Sequence, residues 1–436
     1  MWDTETSFRN APSKVAYSSR SFLAEGSERC ERRVPSLALP PKLVVVYYGY
    51  GGKNKVRSYI DETCEPIRNH VDKIGEYLMI ETLHVENFRS FKSLDLSKLR
   101  RINILVGQNA SGKTVLLEAI KVGLDGLPGV LSFLNQLRGN TTFVAPNSTA
   151  EQFQAQFIDY FYSFNTRVPI LVSFKDSTGR EASVKIQFDP KRAVTTQPPL
   201  GFQIAPATSP TTVVPLAFER TNFLGVKDTL LATLTPQGQF IAEPGPPLGL
   251  ISGFFSNAYF GVPSENAGWL SKLSIENRSQ EVIESLQRHF KFIKQVTSEI
   301  VPPGFAAVFA MVEGLERKIP LSLVSGGISR LFTLMLAIVA YTNGVVIIDE
   351  IENGIFHQQY ALVWRSMLDL SRHHGTQLFV SAHSRECLKE AISVIQESPD
   401  EFSLLRVKRH GSNSSVEQFE GEQLEKALEK NGEVRD

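Results

Sequence analysis

The stretch "GQNASGKT" at 107–114 constrains this chain more than any other feature. It matches GxxxxGK[ST], a glycine-rich loop that bends so that backbone N–H groups converge on phosphate oxygens. Such a loop works between a buried strand and a helix, because the helix N-terminus adds its positive dipole to the cradle. The flanks comply: "RINILV" ahead of the loop reads as a buried strand, and "TVLLEAIKVGLDGL" behind it carries apolar residues at helical spacing. Gly107, Gln108, Asn109, Ala110, Ser111, Gly112, Lys113 and Thr114 are therefore candidate nucleotide-binding residues. Lys113 would reach the β- and γ-phosphates, and the Thr114 hydroxyl would hold Mg2+.

Three further stretches carry compatible chemistry. "GVVIIDEIENG" (344–354) reads as a buried strand with two carboxylates at its C-terminal end. Asp349 would bind the same Mg2+ through water, and Glu350 would polarise an attacking water as general base. In "LVSGGISRL" (323–331), Ser325, Gly326 and Gly327 open a helix and can offer a hydroxyl and bare N–H groups to an anion. As an isolated tripeptide this would be an ordinary helix cap. In "FVSAHS" (379–384), His383 lies just past a strand, where it would sense the γ-phosphate; a lone histidine is more often structural. The catalytic candidates are thus Glu350, Lys113 and His383, and the metal candidates are Thr114 and Asp349.

The rest of the chain sets limits. Lys plus Arg number 46 and so do Asp plus Glu, so no global basic field draws the protein to nucleic acid or anionic lipid. Cys30, Cys64 and Cys387 form no CxxC pair, which suits a reducing cytoplasm rather than a disulfide or zinc scaffold. The N-terminus lacks the apolar core of a signal peptide. The apolar run at 331–348 reads as a buried helix, a turn at Thr342-Asn343-Gly344 and a buried strand, not as a membrane span. Between the motifs, 151–164 reads as an amphipathic helix and 168–189 as a hairpin turning at "DSTGR". Segments 191–214 and 234–250, rich in Pro, Thr and Gly, read as loops. Residues 279–300 read as a helix with Val282, Ile283, Leu286, Phe290 and Ile293 on one face. Helices are expected near 356–372 and 385–396, a strand at 376–384, and a terminal hairpin at 402–421 turning at "GSNS" before a short charged helix.

With "VENFRSF" ahead of the glycine-rich loop, then "SGG", "IDEIENG" and "SAHS" in that order, the chain resembles the SMC/RecF/OLD branch of ABC-type ATPases. Within it, the chain is most similar to the stand-alone AAA15/AAA21-type ATPases, the ATP-binding half of OLD (overcoming lysogenization defect) proteins. The resemblance covers 79–436. It implies an α/β fold: a P-loop NTPase, ABC-ATPase head-like, with a mixed sheet and an inserted α/β segment. It implies an ATPase domain at 79–436, with 127–300 inserted between the Walker A and signature regions, and an N-terminal extension of unknown role at 1–78. ATP and Mg2+ are the implied cofactors and ATP hydrolysis the implied reaction. The implied assembly is a homodimer closed around two ATP molecules, each SGG loop reaching the partner's γ-phosphate and Glu352-Asn353-Gly354 occupying the partner-contacting D-loop.

Such proteins act in DNA maintenance or anti-phage defence, so DNA or a separate effector protein is an expected partner, and no membrane is. The departures also matter. The chain ends soon after His383, which leaves no place for the Toprim domain of OLD nucleases, and 115–348 holds no heptad array like the SMC coiled coil. The water-orienting glutamine has only Gln152 and Gln187 as rough positional candidates. Arg89, Lys92, Lys98, Arg100 and Arg101 would be the DNA-facing group, although a solvated hairpin edge explains them better, because no aromatic stacking platform stands beside them. Two other functions compete. A transporter subunit is disfavoured by the long span from the glycine-rich loop to "SGG"; a regulatory scaffold or sensor with little turnover remains.

Overall fold

The computed structural model describes residues 79–139, 149–196, 211–235, 239–255 and 263–421, together with 423, 424, 426 and 427. The expected N-terminal extension at 1–78, and most of the charged helix expected at the C-terminus, lie outside the described residues.

Consecutive apolar residues build the sheet that carries the glycine-rich loop. Its strand order is Ser252–Phe255, Val345–Ile348, Gln377–Ser381, Ile102–Val106, Phe402–His410 and Asn413–Phe419. The first five strands are parallel, and the last returns antiparallel as a hairpin. All residues of "INILV", "VVII" and "QLFVS" are buried, the pattern of strands covered on both faces. Alternate residues serve two cores. Ile102, Ile104, Val346, Ile348, Leu378 and Val380 face one with Phe332 and Leu336 of the helix Gly326–Ala340. Leu105, Val345, Ile347 and Phe379 face the other with Leu116, Leu117 and Ile120 of the helix Lys113–Asp125.

That second core continues into a seven-stranded sheet, antiparallel throughout, in the order Phe240–Ala242, Lys227–Leu234, Leu216–Thr221, Glu181–Phe188, Ile170–Asp176, Ile80–Phe88 and Phe91–Leu96. The helix Lys113–Asp125 lies close against it. A Cβ on Gly123 would fall 2.4 Å from a Val172 methyl carbon, so only glycine lets the helix sit at that depth. Buried Gln377 ties the two sheets together: it accepts from Ile80 N–H and donates to the carbonyls of Ile80 and Arg100, each at 2.9 Å. Because the central strands are parallel, their carboxyl ends share one edge, where open α/β sheets bind ligands.

Several local expectations hold. The hairpins at 168–189 and 402–421 form, and 331–348 is the end of a buried helix, a turn and a buried strand. No helix among the described residues is long and apolar enough to cross a membrane. Others are corrected. The helix expected over 279–300 ends at His289; Phe290 leaves the helical conformation, and Ile293–Val301 is a strand paired with Phe305–Val312. The helix expected over 151–164 is Ala150–Ile158; beyond it the chain turns, with Ser163 and Phe164 at positive φ. That expected near 356–372 is Tyr360–His374, following a short 3-10 turn at His357–Gln359. The loop segments hold the short strands Val194–Thr196, Thr211–Val213 and Phe240–Ala242.

Candidate functional site

The glycine-rich loop is held in its cradle shape by its own backbone and by the terminal hairpin. Gly107, Ala110 and Gly112 have φ of 147°, 60° and 113°. A Cβ at Gly107 would fall 2.3 Å from the Val407 carbonyl oxygen, and one at Gly112 would fall 2.8 Å from Ser414 Oγ. Ser414 donates to the Ser111 carbonyl at 2.8 Å, and Arg409 donates to the Ala110 carbonyl at 3.1 Å. Lys113 Nζ donates to the carbonyls of Gly107 (2.7 Å) and Gln108 (3.0 Å), closing the loop on itself. Burial pulls its pKa below the ordinary lysine value, against the opposing charges of Asp349, Glu350 and Glu352.

Two strand ends and the start of the helix after the loop then meet in one chain of hydrogen bonds. Thr114, in the first turn of the helix after the loop, donates to Asp349 Oδ2 at 2.7 Å. Ser381, the last residue of its strand and fully buried, donates to Asp349 Oδ1 at 2.5 Å. The Glu350 N–H donates to Ser381 Oγ at 2.8 Å. A hydroxyl and a carboxylate already in contact are oxygen ligands of the kind Mg2+ prefers. Ser111 Oγ, inside the loop, is buried without a partner among the described residues, as a loop made to receive an acceptor-rich phosphate group would leave it. The residues present fit a magnesium nucleotide.

Glu350 is held by its main chain as much as by its side chain. Its φ of 54° lies in the left-handed region, unusual for a glutamate and typical of over-determined functional positions. Arg330, on the helix Gly326–Ala340, donates to the Glu350 carbonyl at 2.7 Å, and Asn353 Nδ2 donates to Glu350 Oε2 at 2.5 Å. Burial lowers the Arg330 pKa to about 10, opposed by Glu352 and Glu350.

The SGG loop sits beside this unit. Ser325 caps the helix by accepting from Ile328 N–H at 3.4 Å. Gly327 packs so closely on the loop after the acidic strand that a Cβ would fall 2.8 Å from the Gly354 carbonyl oxygen, whereas Gly326 is exposed with open space around it. His383 follows its strand as expected and binds Glu352 through Nδ1 at 2.6 Å. The structure thus brings Lys113, Thr114, Asp349 and Glu350 together, and packs Ser325–Gly327 against the neighbouring 350–354 loop.

Other expectations are revised. Gln152 spends its amide closing a capping box with Thr149, and Gln187 donates to Glu219 at 2.7 Å, so both serve the inserted segment. Of the basic group, Arg89 is paired with buried Glu118 and stacked on Tyr160, Arg100 is paired with Glu420, and Arg101 with Glu401. The group is mostly neutralised within the fold. Ser381, Arg330, Ser414 and Arg409 were not singled out by the sequence, and Glu352 and Asn353 only as part of the partner-contacting loop, not for their contacts with His383 and Glu350. The only available signal was the polar residue inside otherwise apolar "LFVS" and the third acid of "IDEIE".

Fold and site define a P-loop NTPase with a strand-end acidic pair and a polar strand end beside it. A family described as an AAA domain matches residues 82–300, half of the chain. A second, described as an AAA domain of the AbiEii toxin, Type IV TA system kind, matches 236–388. The chain belongs to this AAA-domain family. It is 23% identical over 353 residues to the "ATP/GTP phosphatase" of Helicobacter pylori, covering 73% of this chain and 89% of that one. It is 54% identical over 43 residues to the "DNA replication and repair protein RecF" of Idiomarina loihiensis, 10% of this chain and 12% of that one. It is 48% identical over 46 residues to the "DNA double-strand break repair Rad50 ATPase" of Methanopyrus kandleri, 11% of this chain and 5% of that one. The last two matches therefore span only a small part of those relatives. Among solved structures, the "SMC head domain from Thermotoga maritima" aligns with 78% of this chain and 99% of its own, at a TM-score of 0.39 and 14% identity.

Proposed function

We propose that this AAA-type P-loop ATPase works as an ATP-gated homodimer in the cytoplasm and controls a DNA-maintenance or anti-phage defence activity of the OLD/RecF type. The observation that carries the reading is the Thr114–Asp349–Ser381–Glu350 chain, which joins two strand ends to the helix that follows the loop of Lys113. In this reading Lys113 exchanges its loop carbonyls for β- and γ-phosphate oxygens. Thr114 and Asp349 hold Mg2+, which when bound withdraws charge from the phosphates. Glu350 takes a proton from the attacking water, and His383 offers Nε2 to the γ-phosphate. Ser325, Gly326 and Gly327 serve the partner's nucleotide, a role supported by the open surroundings of Gly326. The names of the RecF and Rad50 relatives support a DNA-linked role, and that of the toxin-type family supports a defence role.

A regulatory scaffold or sensor with little turnover is favoured by one observation. Lys113 and the Glu350 carboxylate are both engaged by their own chain and must be released before chemistry. Steady-state ATP hydrolysis, with and without duplex DNA, separates the two. Turnover that responds to DNA and falls on the order of 10²–10⁴-fold in Glu350→Gln supports the first reading. A rate that ignores both DNA and the substitution supports the second.

A further inference from the structure

The loop after the acidic strand holds a third carboxylate, Glu352, only 5% exposed. Two backbone N–H groups donate to its Oε1, that of His383 at 2.7 Å and that of Ser384 at 2.9 Å, and His383 Nδ1 lies 2.6 Å from the same oxygen. Its Oε2 is buried and has no partner among the described residues. A desolvated carboxylate with one oxygen unsatisfied is costly, and a neutral amide would serve two backbone donors without that cost. What the charge adds is a strong acceptor for the third donor, the imidazole.

A carboxylate oxygen only accepts, so this contact favours a proton on Nδ1. Nε2 is then the ring nitrogen left without a partner among the described residues, on a side chain that is 40% exposed. Glu352 also lies in the loop that carries Asn353, the partner of Glu350, and Gly354, the seat of Gly327. One buried anion therefore connects the histidine to the loop between the general-base candidate and the SGG helix.

We infer that Glu352 is a positioning residue, which holds the His383 ring with Nδ1 protonated so that Nε2 is the nitrogen presented to the terminal phosphate of the nucleotide. The inference deepens the ATPase reading above and rests on it. Glu352 itself makes and breaks no covalent bond.

The test uses the full chain labelled with 15N-histidine, with the His383 ring signals assigned through His383→Ala. In the wild type those signals report the Nδ1–H form, and in Glu352→Gln they leave it. In parallel, kcat for ATP falls at least about tenfold in Glu352→Gln, while KM stays within about threefold. Unchanged ring signals, a smaller fall in kcat, or a loss carried by KM overturns the inference. Should Glu352→Gln fail to fold, Glu352→Asp withdraws the charge by one methylene and is judged by the same criteria. A wild type that does not turn over ATP sinks the ATPase reading instead, and the ring signals alone then decide whether Glu352 sets the tautomer.

Discussion

At the scale of single residues, Ser381 connects Asp349, the metal-ligand candidate, to Glu350, the general-base candidate. It donates to Asp349 and accepts from the Glu350 N–H in a fully buried setting. Ser381→Ala leaves both groups without that partner, at about 1–3 kcal/mol for each buried unsatisfied group. The expected outcome is a lower melting temperature and a kcat reduced on the order of tenfold, equivalent to about 1.4 kcal/mol. Unchanged kinetics would remove Ser381 from the site. Gly107→Ala probes the seat of the loop, because its Cβ would meet the Val407 main-chain carbonyl at 2.3 Å and its φ is 147°. It is expected to cost more than about 1 kcal/mol of stability, read as a fall in melting temperature, and to weaken nucleotide binding. A variant with native stability and affinity would show that the hairpin does not hold the loop.

At the scale of elements, the C-terminus of the helix Tyr360–His374 is locked by a buried imidazole. His374 Nε2 meets Glu281 at 3.0 Å, and its Nδ1 faces Arg278 at 3.2 Å and Thr342 at 3.5 Å. Burial lowers its pKa below the ordinary 6.5, Arg278 and His373 add to the lowering, and Glu281 opposes it. The folded state therefore favours neutral His374 while the unfolded chain takes up the proton more readily. Stability is full above pH 6.5 and is lost as pH falls through that value towards the lower folded one. In melting curves across this window, His374→Gln should flatten the acid-side decline; an identical slope would contradict the lock.

The same scale shows what a sequence can and cannot reveal. Strand, loop and helix at 102–125 were readable because phosphate binding needs them contiguous in the chain. The helix expected over 279–300 ran too far because Phe290 and Ile293 continue the spacing of Val282, Ile283 and Leu286. The boundary is set by pairing with Phe305–Val312, which no local period reports. The roles of Arg330 and Ser381, and the contact of Glu352 with His383, stayed hidden for a related reason: each joins residues twenty or more positions apart, 20, 32 and 31 respectively.

At the scale of the whole molecule, the helix Lys113–Asp125 lies between the two sheets in one shared core, so the phosphate loop is anchored from that core. The SGG helix belongs to the opposite core and packs on the 350–354 loop. Among the described residues nothing lies within 4 Å of a Cβ built on Gly326 at its open end, which is the reason to expect a second copy there. The direct measurement is mass in solution by light scattering, for wild type and Glu350→Gln, each with and without ATP and Mg2+. Removing the proposed general base should trap ATP in the closed state, so the account predicts a doubled mass for Glu350→Gln with ATP and not without it. A mass that stays the same in both proteins, whatever the nucleotide, would contradict the ATP-gated dimer.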